Sequence, residues 1–175
     1  MLGLEGAAAA YFRALAAAFP PALGFEGRNR RPPRDPVNAC LSLGYTLLHG
    51  DAVREAAVQG FDPMIGVLHE IAPGRESLAC DMVEPLRALV DRFVVELFRG
   101  DHLRADGFSR KGAGCLLGKA ARKTFFTRWE EEVAPLTRRL LTRGLRDLGE
   151  AVMAGGAAPA LPSPSRARSA GDAST

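Results

Sequence analysis

The stretch Gly66-Val67-Leu68-His69-Glu70-Ile71-Ala72-Pro73-Gly74-Arg75-Glu76-Ser77-Leu78-Ala79-Cys80-Asp81-Met82-Val83-Glu84-Pro85 decides how this chain is read. It puts a histidine near the end of one apolar segment and two carboxylates on the next, across a Pro73-Gly74-Arg75 turn. Asp81 and Glu84 stand three residues apart, so on a helix they share a face and a cation suits the point where they meet. Pro85 has no amide hydrogen for the Asp81 carbonyl and disfavours helical geometry at Glu84, so the backbone is expected to kink or restart there. Taken alone, His69 among Val67, Leu68 and Ile71 also reads as a satisfied core histidine, and the acids as ordinary surface groups.

Outward from this stretch the chain reads as helix after helix. Asp35-Pro36 and Asp62-Pro63 each pair an N-cap with a proline at the first helical position. The first predicts a helix with Val37, Cys40, Leu41, Leu47 and Leu48 on its apolar face, broken near Gly50-Asp51 and ended by Gly60. The second predicts a helix from Pro63 to about Ile71. Ser77 is the expected N-cap of a helix reaching about Arg99 through Leu78, Met82, Leu86, Leu89, Phe93, Val94 and Leu97. An Ala-rich helix is expected from Glu5 to Phe19, stopped by Pro20-Pro21. A last helix is expected from Lys119 to Met153, kinked at Pro135. No alternating pattern of strand length stands out, and Ser109 to Gly118 reads as a turn leading into a short helix. The expected fold is all-α, one domain of about six to eight helices over residues 1–153. Residues 154–175, rich in Gly, Ala, Pro and Ser, are expected to be a disordered tail.

The totals narrow the class. A chain of 175 residues with 47% hydrophobic content has room for one domain with a core, and a net charge of +3 announces no partner by itself. Cys40, Cys80 and Cys115 are odd in number and lack a Cys-x-x-Cys spacing, against a disulfide framework or a structural zinc site. No stretch approaches the roughly 20 apolar residues of a membrane span, so a soluble, cytoplasmic protein is expected. Positive charge is concentrated in two places. Arg28, Arg30, Arg31 and Arg34 share a Gly/Pro-rich loop, and Arg110, Lys111, Lys119, Arg122 and Lys123 follow later; each set reads either as a phosphate-contacting patch or as a solvated basic segment.

Five pieces occur in a definite order: Gly3-Leu4-Glu5-Gly6 before Tyr11-Phe12; Arg34-Asp35-Pro36-Val37-Asn38-Ala39 followed by Leu41-Ser42 and Tyr45; Gly60-Phe61-Asp62-Pro63; Gly66 to Glu70; and Ser77 to Pro85. Together they resemble the helical catalytic domain of the CRISPR-associated integrase of spacer acquisition, the "Cas one" family, over roughly Leu2 to Met153. The resemblance implies a divalent metal, magnesium or manganese, held by Glu5, His69 and Glu84, with Asp81 as a further acid nearby. It implies endonuclease activity and the joining of DNA 3′ ends to a CRISPR repeat. It also implies double-stranded DNA, the small "Cas two" protein and a second copy as partners. The family places a β-rich domain before the helical one, whereas here four residues precede Glu5. Either a fragment or split gene product, or a second chain that supplies the missing part, is therefore expected, and metal binding is expected to survive this departure better than integration does. A degenerate relative that binds DNA without cutting it is the alternative, and a helical interaction module with surface acids is a third.

Overall fold

The computed structural model describes residues 10–68 and 74–155. Over these residues the chain is helical, with one small hairpin. It divides into two compact units, each discontinuous in sequence: residues 1–44 with 91–130, and residues 45–90 with 131–175. No described helix is long and apolar enough to cross a membrane.

In the first unit the described part of α1 is residues 10–16, and its last turn tightens before Pro20 through Ala17, Ala18 and Phe19 amides bonded three residues back. Helix α2, Pro36–Val58, starts here. Its first turns are buried at five consecutive positions, Val37 to Leu41, which is more than one turn of helix and therefore encloses it on every side. Asp35 caps it as expected, its Oδ1 accepting the Asn38 amide at 2.8 Å. Phe93 of α4, Arg87–Arg99, and Phe125 and Trp129 form an aromatic centre with ring centroids 5.3 to 6.1 Å apart.

The Ser109 to Gly118 reading is corrected by the structure. Strands β1, Phe108–Lys111, and β2, Gly114–Leu117, pair antiparallel, and α5, Lys119–Arg128, follows. Gly112 opens the two-residue loop with φ +58°, which a two-residue hairpin loop of this kind favours in glycine. No apolar alternation marks these strands in the sequence, because β1 is solvent-facing along most of its length.

In the second unit α2 runs on to Val58 without the break expected at Gly50-Asp51. The Asp51 side chain is held by Arg54 and by Arg138 at 3.0 Å, so it is not competing for helix amides. Gly60 ends the helix as read: it has φ +83°, and the Gly60 and Phe61 amides return to the Ala57 and Ala56 carbonyls.

The helix expected from Pro63 does not form over its described part, residues 63–68, which is turn and bend. Asp62 caps a single turn, accepting the Met64 amide at 2.9 Å, and the chain then departs. Helix α3, Ser77–Val83, is separated from α4 by a 3-10 turn at Glu84–Leu86, the restart expected at Pro85. Ser77 is its first residue rather than its cap, and Glu76 precedes it without a side-chain capping bond. A π turn at Trp129–Val133 leads into α6, Ala134–Met153. The irregularity thus begins ahead of Pro135, whose missing N–H leaves the carbonyl four residues earlier without its helical donor. The expected tail from residue 156 onward lies outside the described residues.

Candidate functional site

Asp81 and Glu84, read as one acidic pair, stand in different surroundings. Asp81 is 2% exposed, and its Oδ2 accepts the backbone N–H groups of Val67 and Leu68 at 2.7 and 2.9 Å. Those bonds are why residues 63–68 do not continue as helix: amides that would return to carbonyls one turn back are taken by a side chain on α3. Glu84, on the 3-10 turn made by Pro85, is exposed, and Arg87 donates to its Oε2 at 2.8 Å. The Arg87 guanidinium also lies over the Tyr45 ring, 4.6 Å from its centroid. Burial pulls the Arg87 pKa down, but the hydrogen bond and charge of Glu84, together with Tyr45, outweigh it and raise the pKa overall. Tyr45 is thus a half-buried platform for a cation.

The other two predicted metal ligands, Glu5 and His69, lie outside the described residues. Among the described residues no three His, Cys, Asp or Glu side chains gather as a metal site. The donor set of two carboxylates and an imidazole suits magnesium or manganese. Glu84 fits that role, with its carboxylate in solvent where a hydrated ion reaches it. Asp81 fits it less well, because Oδ2 already serves two amides. Cys80, next to these acids, keeps its proton: burial raises its thiol, Arg75 opposes this, and Asp81, Glu76 and Glu84 add to the rise.

The two basic segments meet within the first unit. The Cys115 amide donates to the Pro33 carbonyl at 2.7 Å, and Cys115 faces Arg110 across the hairpin. A cleft of about 530 Å³ opens there, with Gly24, Gly27, Arg34, Phe108, Ser109 and Arg110 in its wall. Arg31, Arg34, Arg110, Lys111, Lys119, Arg122 and Lys123 reach solvent, as does Arg30. Arg28 differs. It is half-buried and donates to Asn38 Oδ1 and Ser42 Oγ, both at 2.9 Å, and to the Asn29 carbonyl. Asn38, with no exposed surface, accepts the Asn29 amide at 3.0 Å and donates to the Gly27 carbonyl at 2.8 Å and Asp35 Oδ2 at 2.7 Å. No local sequence pattern announces this network, because its partners lie on both sides of a proline-rich loop.

The sequence profile of the family described as "CRISPR associated protein Cas1" matches residues 1–131. The chain belongs to the Cas1 family. It is 47% identical over 153 residues to "CRISPR-associated endonuclease Cas1 1" of Thermodesulfovibrio yellowstonii, a span covering 79% of this chain and 48% of that Cas1. Its fold is similar to a casposase bound to integration product, with TM-score 0.76 and 25% identity over 88% of this chain and 47% of the other. It is also similar to a chain of a partial Cas6-RT-Cas1–Cas2 complex, with TM-score 0.75 and 28% identity over 88% of this chain and 50% of that one. The chain thus spans about half the length of these relatives. The Arg34-Asp35-Pro36-Val37-Asn38 stretch has a structural explanation here: Asp35 caps α2, and the Asn38 side chain fastens the arginine loop to it.

Proposed function

We propose that this chain is the helical part of a divalent-metal-dependent DNA endonuclease and integrase of CRISPR adaptation. The observation that carries the reading is the Cas1 match over residues 1–131, which takes in Glu5, His69, Asp81 and Glu84 and both basic segments. Glu5, His69 and Glu84 hold a magnesium or manganese ion. Bound there, the ion supplies Lewis-acid polarisation of a phosphodiester and favours the deprotonated form of an attacking hydroxyl. The residues of the chain do the rest. Arg30, Arg31, Arg34, Arg110, Lys111, Lys119, Arg122 and Lys123 bind the phosphate backbone of double-stranded DNA and fix its register without reading sequence. Arg87, backed by Tyr45, keeps the Glu84 side chain directed on its turn. The 3′ end of the DNA is joined to the repeat by transesterification, with a Cas2 protein and a second Cas1 copy holding two such sites on one DNA.

Thermal melting with manganese tests the metal. An ion bound only by the native chain, at a hundred times its dissociation constant, stabilises by about 2.7 kcal/mol and raises Tm by at least about 5 °C. His69→Ala is expected to melt normally without metal and to lose this rise. Equal responses in wild type and His69→Ala reject the assignment.

A further inference from the structure

We propose that Asp81 is a positioning residue, whose carboxylate holds the turn at Val67 and Leu68 that immediately precedes His69 in the chain. What His69 then does rests on the metal reading above, but the hydrogen bonds to Asp81 stand without it. Val67 and Leu68 donate consecutive backbone amides to the single oxygen Oδ2, at 2.7 and 2.9 Å. Two successive N–H groups converging on one point form an anion-binding concavity, and a carboxylate there accepts charge-assisted bonds. Apolar burial adds little to the hold on this turn, since the Val67 and Leu68 side chains are 45% and 76% exposed. The base of the turn is fixed separately, by the Leu78 amide on the Pro63 carbonyl at 3.0 Å.

The consequence follows from peptide geometry. The bond to the Leu68 amide fixes the planar unit between Val67 and Leu68, one residue short of His69 in the sequence. Asp81 itself is anchored on α3 and is 2% exposed. Turning Oδ2 toward a cation strips two amides of their acceptor, so this oxygen serves the turn, whereas the Glu84 carboxylate stands exposed. This separates the roles of two acids three residues apart.

The experiment compares Asp81→Asn, Asp81→Ala and Glu84→Gln with wild type in the full chain, by amide hydrogen exchange without metal and by the manganese-induced rise in Tm. In wild type the Val67 and Leu68 amides are expected to exchange slowly. Asn keeps an acceptor oxygen but not the charge, and both amides are expected to exchange about tenfold faster; Ala removes the acceptor and the protection with it. Glu84→Gln leaves both amides protected and abolishes the manganese response, whereas Asp81→Asn keeps most of that response and Asp81→Ala less. Fast exchange of these amides in wild type overturns the proposal. So does an Asp81→Asn variant that loses the manganese response as fully as Glu84→Gln while its amides stay protected, because Asp81 is then a ligand. If wild type shows no manganese response but amide protection still follows Asp81, the clamp is supported and the metal reading fails.

Discussion

Truncating Asn38 to Ala takes a hydrogen-bond partner from four groups at once: the Arg28 guanidinium, the Asn29 amide, the Gly27 carbonyl and Asp35 Oδ2. Buried polar groups left short of partners are costly, and a loss of about 2–4 kcal/mol in urea denaturation is expected. Arg30→Ala and Arg31→Ala, on solvent-facing side chains, are expected to change stability by less than about 0.5 kcal/mol. Together they are instead expected to flatten the salt dependence of DNA binding by roughly 0.9 in log–log slope for each phosphate no longer neutralised. The reverse pattern would show that the loop is not divided in this way. Tyr11 adds a second residue-scale test. Its hydroxyl donates to Asp91 Oδ2 at 2.7 Å, and Asp91 is 3% exposed. Burial first, then this bond and the Asp91 charge, push the hydroxyl above the ordinary tyrosine value of 10.0. The unfolded chain releases that proton near its ordinary pKa while the native chain still holds it, so stability falls as pH rises past about 10. Melting temperatures of Tyr11→Phe are expected to fall less steeply than wild type over that range, and parallel curves would show that Tyr11 does not contribute.

At the scale of elements, local signals are legible where the partner is local. Asp35 caps α2 three residues on, Gly60 ends it with a positive φ, and Pro85 interrupts the helix at its own position. Asp62-Pro63 carries the same local signal as Asp35-Pro36, yet no helix follows over residues 63–68, because the deciding acceptor is Asp81, 13 and 14 residues further on. The hairpin is hidden for a related reason: its Cys115 amide reaches Pro33, and no periodicity within four residues records that. The spacing singles out Asp81 and Glu84, but their division into a buried acid and an exposed one is not legible in it, since it depends on which one the turn at Val67 and Leu68 meets. Gly112 offers an element-scale test. At φ +58° a β-branched side chain is strained by about 1–2 kcal/mol, so Gly112→Val is expected to lower Tm by a few degrees. It is also expected to weaken DNA binding, because Arg110 and Lys111 ride on that hairpin; a variant that binds DNA as wild type does would remove the hairpin from the interface.

For the whole molecule, a net charge of +3 over 175 residues is modest, and what matters is its placement. Two basic segments about 80 residues apart in sequence border one cleft in the first unit, while His69, Asp81 and Glu84 belong to the stretch between Gly66 and Pro85. Such a chain is expected to bind duplex DNA of any sequence with strong salt dependence and to cut it only with a divalent ion. The Cas1 match covers both features, and the fold is similar to that of a casposase bound to integration product. The most direct test is cleavage of an end-labelled DNA duplex by wild type and Glu84→Gln at low salt, with manganese or with a chelator. Manganese-dependent cleavage by wild type, at least about a hundredfold slower in Glu84→Gln at unchanged DNA affinity, is the predicted result; cleavage by Glu84→Gln at the wild-type rate, or cleavage that survives the chelator, would contradict it.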